Sequence, residues 1–261
     1  MEKYLVENLD QKFEYKTYRI FFSVRDSLPA EEVLNTLDRA SPGLLKIFDL
    51  PETPKLDVFI YADPASVEKA TTRPLGPGEG VRVIPADNAM ILCSCRLPNM
   101  IDEEVSRQVG YLMYDLEMGE RELSAHQYRS PSWLRDGTCL QIPSRLRRDT
   151  KPFLLGGWAF LQEAEKADKL IKPNMMDKSV YLIPDPQRRL LAIHQSFYMV
   201  KYLISLYPEK FFKRFGTLMK VLEDMEAERV FTQVANLNFD KVFALFREWV
   251  RTTNGLVAMS D

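Results

Sequence analysis

The chain has 261 residues, 46% of them hydrophobic and 28% charged, with a formal charge of −2 at neutral pH. This is globular usage, and the near-neutral balance excludes a protein built chiefly to hold nucleic acid. No run approaches the ~20 apolar residues of a membrane helix, so a membrane is not an expected partner either. The opening stretch 1–9 (MEKYLVENL) is charged and lacks the apolar centre of a signal peptide. Three cysteines, Cys93, Cys95 and Cys139, are too sparse and odd in number for a disulfide framework. A soluble, cytoplasmic chain is the expectation.

Residues 17–24 (TYRIFFSV) are β-branched and aromatic and predict a strand. Pro29 opens a helical pattern that runs to Phe48, with an interruption expected at Pro42-Gly43. Residues 56–61 (LDVFIY) predict a buried strand, and a short helix follows over 64–71. The segment 73–80 (RPLGPGEG) has only loop options. Two short strands are predicted at 81–84 (VRVI) and 89–95 (AMILCSC). After Pro98 the period becomes helical. Ile101, Val105, Val109, Leu112, Met113 and Leu116 form one stripe over 101–118. Further helices are predicted over 132–142, 153–166, 187–206, 208–225, 227–235 and 239–252, the last with Asn238 as N-cap. Strands first and helices second give an α+β class, a small mixed sheet with helices leading into a mainly helical C-terminal half. The expected division is 1–118 and 119–261.

Three stretches, in this order, resemble the gluzincin branch of the HExxH zinc metallopeptidases, especially the compact peptidase MA-like group. They are the strand LDVFIY (56–61) with the later strand MILCSC (90–95), the helix EVSRQVGYLM (104–113), and PSWLRDGTCLQI (131–142). The last is similar to that family's P-x-W-L-x-E-G. The C-terminal stretches 194–212 and 239–250 also resemble the group's closing helices. The resemblance implies a zincin-like fold. It also implies that two helix histidines and the motif glutamate bind zinc, while a glutamate beside the first histidine activates water.

Here those positions carry Arg107, Gln108, Tyr111 and Asp136, and Ile193 falls where the family has a transition-state tyrosine. A guanidinium repels a dication, and glutamine has no carboxylate to take a proton. The resemblance therefore implies a catalytically inactive, metallopeptidase-like binding or scaffold domain, with no metal and no cofactor. The family's edge strand before the active helix pairs with extended substrate. A peptide or protein segment captured along 90–95, at Met90, Leu92 and Ser94, is thus the expected partner. An ion pair from Arg107 to Asp136 is the expected substitute for the metal.

A different enzyme using Cys139, His194 or Asp136 is the alternative, against the plainer reading that Cys139 packs as a small apolar residue. His126 and His194 are the only histidines, and Cys93-x-Cys95 alone is not a zinc pattern. The arginines Arg145, Arg147 and Arg148, with Arg188 and Arg189, lie among acidic neighbours and are expected to form solvated surface.

Overall fold

The computed structural model describes residues 4, 9–76, 79–97, 100–119, 129–146, 150–176, 179–207, 210–222 and 224–255, with backbone alone at 145–146 and 150–155. The protein is α+β. Five strands, β1 (Gln11–Tyr15), β2 (Tyr18–Phe22), β3 (Leu56–Tyr61), β4 (Val81–Ile84) and β5 (Ala89–Cys93), all precede the third helix. The chain divides into two compact units, Met1–Leu116 and Glu117–Asp261. Among the described residues no helix is long and apolar enough to cross a membrane.

In the first unit the strands form one mixed sheet in the order β1-β2-β3-β5-β4. The inner pairs β2/β3 and β3/β5 are parallel; the outer pairs β1/β2 and β4/β5 are antiparallel. Ile20, Val58, Phe59, Ile60, Met90 and Ile91 are all fully or nearly fully buried, as central strands covered on both faces require. β1 has no counterpart among the predicted elements. Its side chains are exposed or half-buried, with Lys12 paired to Glu14, so no alternation marks it as a strand. Its two-residue turn, Lys16-Thr17, holds Lys16 at φ 52 without the glycine or asparagine that usually announces such a hairpin.

Helix α1 (Ser27–Phe48) continues through Pro42, where the sequence predicts a break. Proline within a helix costs about 3 kcal/mol. Against that, Leu37, Ala40, Leu44 and Phe48 are essentially fully buried, and each large one contributes roughly 1.5–3 kcal/mol. Burial wins, and the Ser41 hydroxyl donates to the Leu37 carbonyl (2.7 Å) just before the proline. Helix α2 (Pro64–Thr71) is capped by Asp63, whose carboxylate accepts from the Ser66 amide. The loop after it is tied down by two guanidiniums. Arg82 donates to Glu79 and to the carbonyls of Arg73 and Pro74, and Arg96 donates to the carbonyls of Gly76 and Glu79. Burial acts to raise the Glu79 carboxyl, but the Arg82 bond, the Gly76 amide and both positive charges outweigh it and hold it below its ordinary value.

Helix α3 (Ile101–Met118) closes the first unit, its last two residues falling in the second. The second unit continues with α4 (Ser132–Leu146), α5 (Thr150–Lys166), α6 (Pro186–Leu206), α7 (Phe211–Val221), α8 (Ala227–Ala235) and α9 (Phe239–Thr252). α4 passes through Pro143 four residues beyond its expected end. The Asn238 side chain accepts from the Lys241 amide (2.8 Å), the N-cap the sequence predicted for α9. Trp133 is fully buried among Phe231 and Phe239, with ring centroids 6.2 and 5.6 Å away in edge-to-face contact. α5 and α9 are joined by a buried carboxylate. Glu165 accepts two bonds from Arg247 (2.8 and 3.0 Å) and a further contact from Arg251 (2.5 Å).

Candidate functional site

On α3 the residues expected on one face do share it. Arg107 and Gln108 both donate to the Glu104 carboxylate, the latter at 2.9 Å. Successive residues turn by ~100°, which places Glu104, Arg107, Gln108, Tyr111 and Asp115 within one arc. The opposite stripe, Val105, Val109, Leu112 and Leu116, is buried. Tyr111 and Asp115 are buried too, so this helix is enclosed on both faces rather than open on one.

The residues of the W-L-R-D-G stretch are committed to structure. Asp136, almost fully buried, accepts from the Val180 amide (2.8 Å) and from the Ser179 hydroxyl (3.0 Å). Ser132 donates to the Met176 carbonyl. From α6, Gln195 reads the Ile171 peptide group in both directions, accepting from its amide (2.9 Å) and donating to its carbonyl. Ile171, Met176 and Val180 are buried. Asp136, Ser132 and Gln195 thus tie Ile171, Met176 and the 3-10 turns Pro173–Met175 and Val180–Leu182 to α4 and α6. Sequence reasoning missed Ser132 and Gln195 in this role. Their only signal was a polar residue on the buried side of a helix, which no simple periodicity distinguishes from a binding group.

Each member of the expected Arg107–Asp136 pair meets partners within its own unit: Glu104 for Arg107, Ser179 and Val180 for Asp136. The alternative catalytic residues are both interior. Cys139 is fully buried, and His194 is 4% exposed with its ring nearly perpendicular to Phe160. Burial pushes the His194 imidazole down to about 4, which keeps it neutral at physiological pH.

The strand expected to capture peptide is placed differently. β5 is paired on both sides, by β3 and β4, so no edge of it is open. Met90 and Leu92 are buried in the sheet. The strand ends at Cys93, and Ser94 lies in a 3-10 turn, its hydroxyl donating to Asp26 (2.7 Å). The edge on that side is β4 instead. The reason is the antiparallel pairing of VRVI, which composition alone cannot order within a sheet.

Among the described residues no group of three His, Cys, Asp or Glu side chains converges as a metal site would require. His126, Arg147 and Arg148 lie outside the described residues, as does the side chain of Arg145. Arg188 is exposed and Arg189 half-buried. The second unit also carries an open, mainly apolar groove of about 640 Å³ lined by Phe160, Ile171, Met175 and Leu191, with charges of both signs from Glu163, Lys169, Asp185 and Arg188.

No protein-family model, curated protein or solved structure matches this chain.

The clamp at Asp136 is open to a direct test. Asp136→Ala leaves the buried Val180 amide without its acceptor and is expected to cost about 2 kcal/mol. Asp136→Asn keeps an acceptor oxygen and is expected to cost less. Urea unfolding of the three proteins checks the order, and an alanine variant as stable as the parent would remove the clamp from consideration.

Proposed function

We propose that this chain is a non-catalytic, gluzincin-like binding domain that captures an extended peptide or protein segment. The observation that carries the reading is the commitment of Asp136, at the position of the resembled family's third ligand, to the Val180 amide and Ser179 hydroxyl. Both donors converge on Oδ2, so this oxygen anchors the Ser179–Val180 segment to α4. The helix positions argue the same way, since Arg107 is a permanent cation and Gln108 lacks a basic carboxylate. The resemblance and the zincin-like architecture belong to this proposal, and so does a cytoplasmic setting.

The capture surface we assign is the outer edge of β4. Among the described residues the sheet ends in β1 and β4, and these two strands differ chemically. β1 is charged, which discourages pairing with another chain, whereas β4 carries one charge among apolar residues, with Val81 buried and Val83 and Ile84 half-buried. Its charged residue, Arg82, is already held by Glu79 and the loop carbonyls. The Cys93 amide donates to the Gly80 carbonyl (2.9 Å). Bonded pairs alternate along an antiparallel ladder, so the polar backbone groups of Val81 and Val83 face outward.

Val83→Pro deletes one outward amide and spares the β4/β5 ladder. Against a phage-displayed library of linear peptides, we expect enrichment by the parent protein to fall about tenfold in this variant, the value of roughly one lost hydrogen bond. Casein is expected to stay intact with or without added zinc. Equal enrichment by both proteins would remove β4 as the surface; chelator-sensitive cleavage would overturn the non-catalytic reading itself.

A further inference from the structure

At the end of β5, Cys93 and Cys95 bring their sulfurs to 3.4 Å. Residues two apart in a regular strand lie ~6.6 Å apart along its axis, close to the upper limit of the Cα separation a disulfide spans. The chain shortens that span by leaving the strand, because Ser94–Arg96 is a 3-10 turn. The turn is fixed on both sides. The Cys93 amide donates to the Gly80 carbonyl (2.9 Å), the Ser94 hydroxyl to Asp26 (2.7 Å), and the Leu97 amide to the Ser94 carbonyl (3.1 Å). The two thiols also differ in access: Cys93 is buried and Cys95 exposed.

We propose that Cys93 and Cys95 form an oxidisable dithiol, with Cys95 the sulfur that meets a low-molecular-weight disulfide and Cys93 the sulfur that resolves the adduct. In the first step the Cys95 thiolate attacks one sulfur of oxidised glutathione, forming a mixed disulfide and releasing one glutathione thiolate. In the second, the Cys93 sulfur attacks Cys95 Sγ. The Cys95–glutathione bond breaks, and the Cys93 proton leaves with the departing thiolate as glutathione. Two protein thiols are oxidised and one glutathione disulfide is reduced to two thiols. Burial, reinforced by the bond to Cys95, pushes the Cys93 thiol up to about 12. Cys93 therefore keeps its proton in the resting pair, and the exposed sulfur is the one left to attack. Oxidation joins β5 to the turn that carries Arg96, whose guanidinium holds the carbonyls of Gly76 and Glu79.

The test treats the native, fully reduced protein with glutathione disulfide, then blocks free thiols and maps them by mass spectrometry. The parent is expected to lose two thiols, with a mass lower by two hydrogens and no retained glutathione, while Cys139 stays reduced. Cys93→Ser is expected to hold a glutathione adduct at Cys95 on the order of tenfold longer than the parent does, because the intramolecular attack is gone. Cys95→Ser removes the exposed sulfur and leaves Cys93 buried, and is expected to acquire neither adduct nor disulfide. A parent protein that accumulates the Cys95 adduct, or that keeps both thiols free, overturns the proposal. So does a Cys95→Ser variant that is glutathionylated at Cys93.

Discussion

Gly137→Ala is expected to lower the stability of this protein by about 3 kcal/mol, near the upper end of the cost of overpacking a filled interior. A Cβ at that position lies 2.3 Å from the Ser196 carbonyl oxygen and 2.7 Å from both its carbonyl carbon and Val200 Cγ2. Two of the three are backbone, so relief requires α6 to move away from α4. That movement also disturbs the Gln141 side chain, which bridges the carbonyls of Gly137 (3.2 Å) and Phe197 (2.9 Å). Gly156 provides the internal control. A Cβ there meets nothing within 4 Å, and the residue is helical and exposed. Gly156→Ala is expected to stabilise by roughly 0.5–1 kcal/mol, the usual gain from removing glycine's extra freedom in the unfolded chain. Urea midpoints moving in opposite directions check both. A Gly137→Ala protein as stable as the parent would mean that α4 and α6 do not approach as closely as described.

The same close approach shows what the sequence made legible. Periodicity located α3, α9 and the buried strand Leu56–Tyr61 at the residues where they occur, because burial on one face or two dominates those segments. It failed where a non-local force decided the outcome. α1 continues through Pro42 because the apolar residues flanking it are buried, a contribution larger than the proline penalty. β1 is a strand because β2 offers it a partner, not because QKFEY prefers to be one. The order β3-β5-β4 lies beyond any one-dimensional pattern, which is why the sequence suggests an edge at β5 and the structure has β4 there.

The candidate site was legible in part for a similar reason. The grouping of Glu104, Arg107 and Gln108 follows from helix geometry alone. Their environment does not follow, since burial of Tyr111 and Asp115 depends on what packs over them. Asp136 stands out in sequence for its place in a motif, and two of its partners, Ser179 and Val180, lie 43 and 44 residues away in sequence. Local spacing carries no information about a hydrogen bond of that reach. The chemistry of Arg107 and Gln108, by contrast, is fixed by residue identity and needs no structure to argue it.

Acid is expected to destabilise the second unit through His194 well before most carboxylates titrate. In an unfolded chain the imidazole protonates near its ordinary pKa of about 6.5. In the fold, burial pushes it down to about 4. The neutral ring lies nearly perpendicular to Phe160, and Gly157 packs so closely against it that a Cβ there would lie 2.2 Å from Nδ1. The folded pKa is below the unfolded one, so between those two values the unfolded state binds more protons. The associated stability is present above the unfolded pKa and is lost as pH falls toward the folded one. A separation of about two and a half units corresponds to roughly 3 kcal/mol over the whole window, of which about 2 kcal/mol is lost between about pH 7 and about pH 5. His194→Phe keeps an aromatic ring and removes the titration, so its unfolding free energy is expected to decline about 2 kcal/mol less than the parent's over that interval. Other titrating groups cancel in the comparison. The ring-proton resonances of His194 give a second readout in the parent protein, with a midpoint expected near pH 4. Parallel pH profiles for the two proteins, or a resonance that titrates at the ordinary histidine value, would show that the imidazole reaches water and that Gly157 does not seal it in.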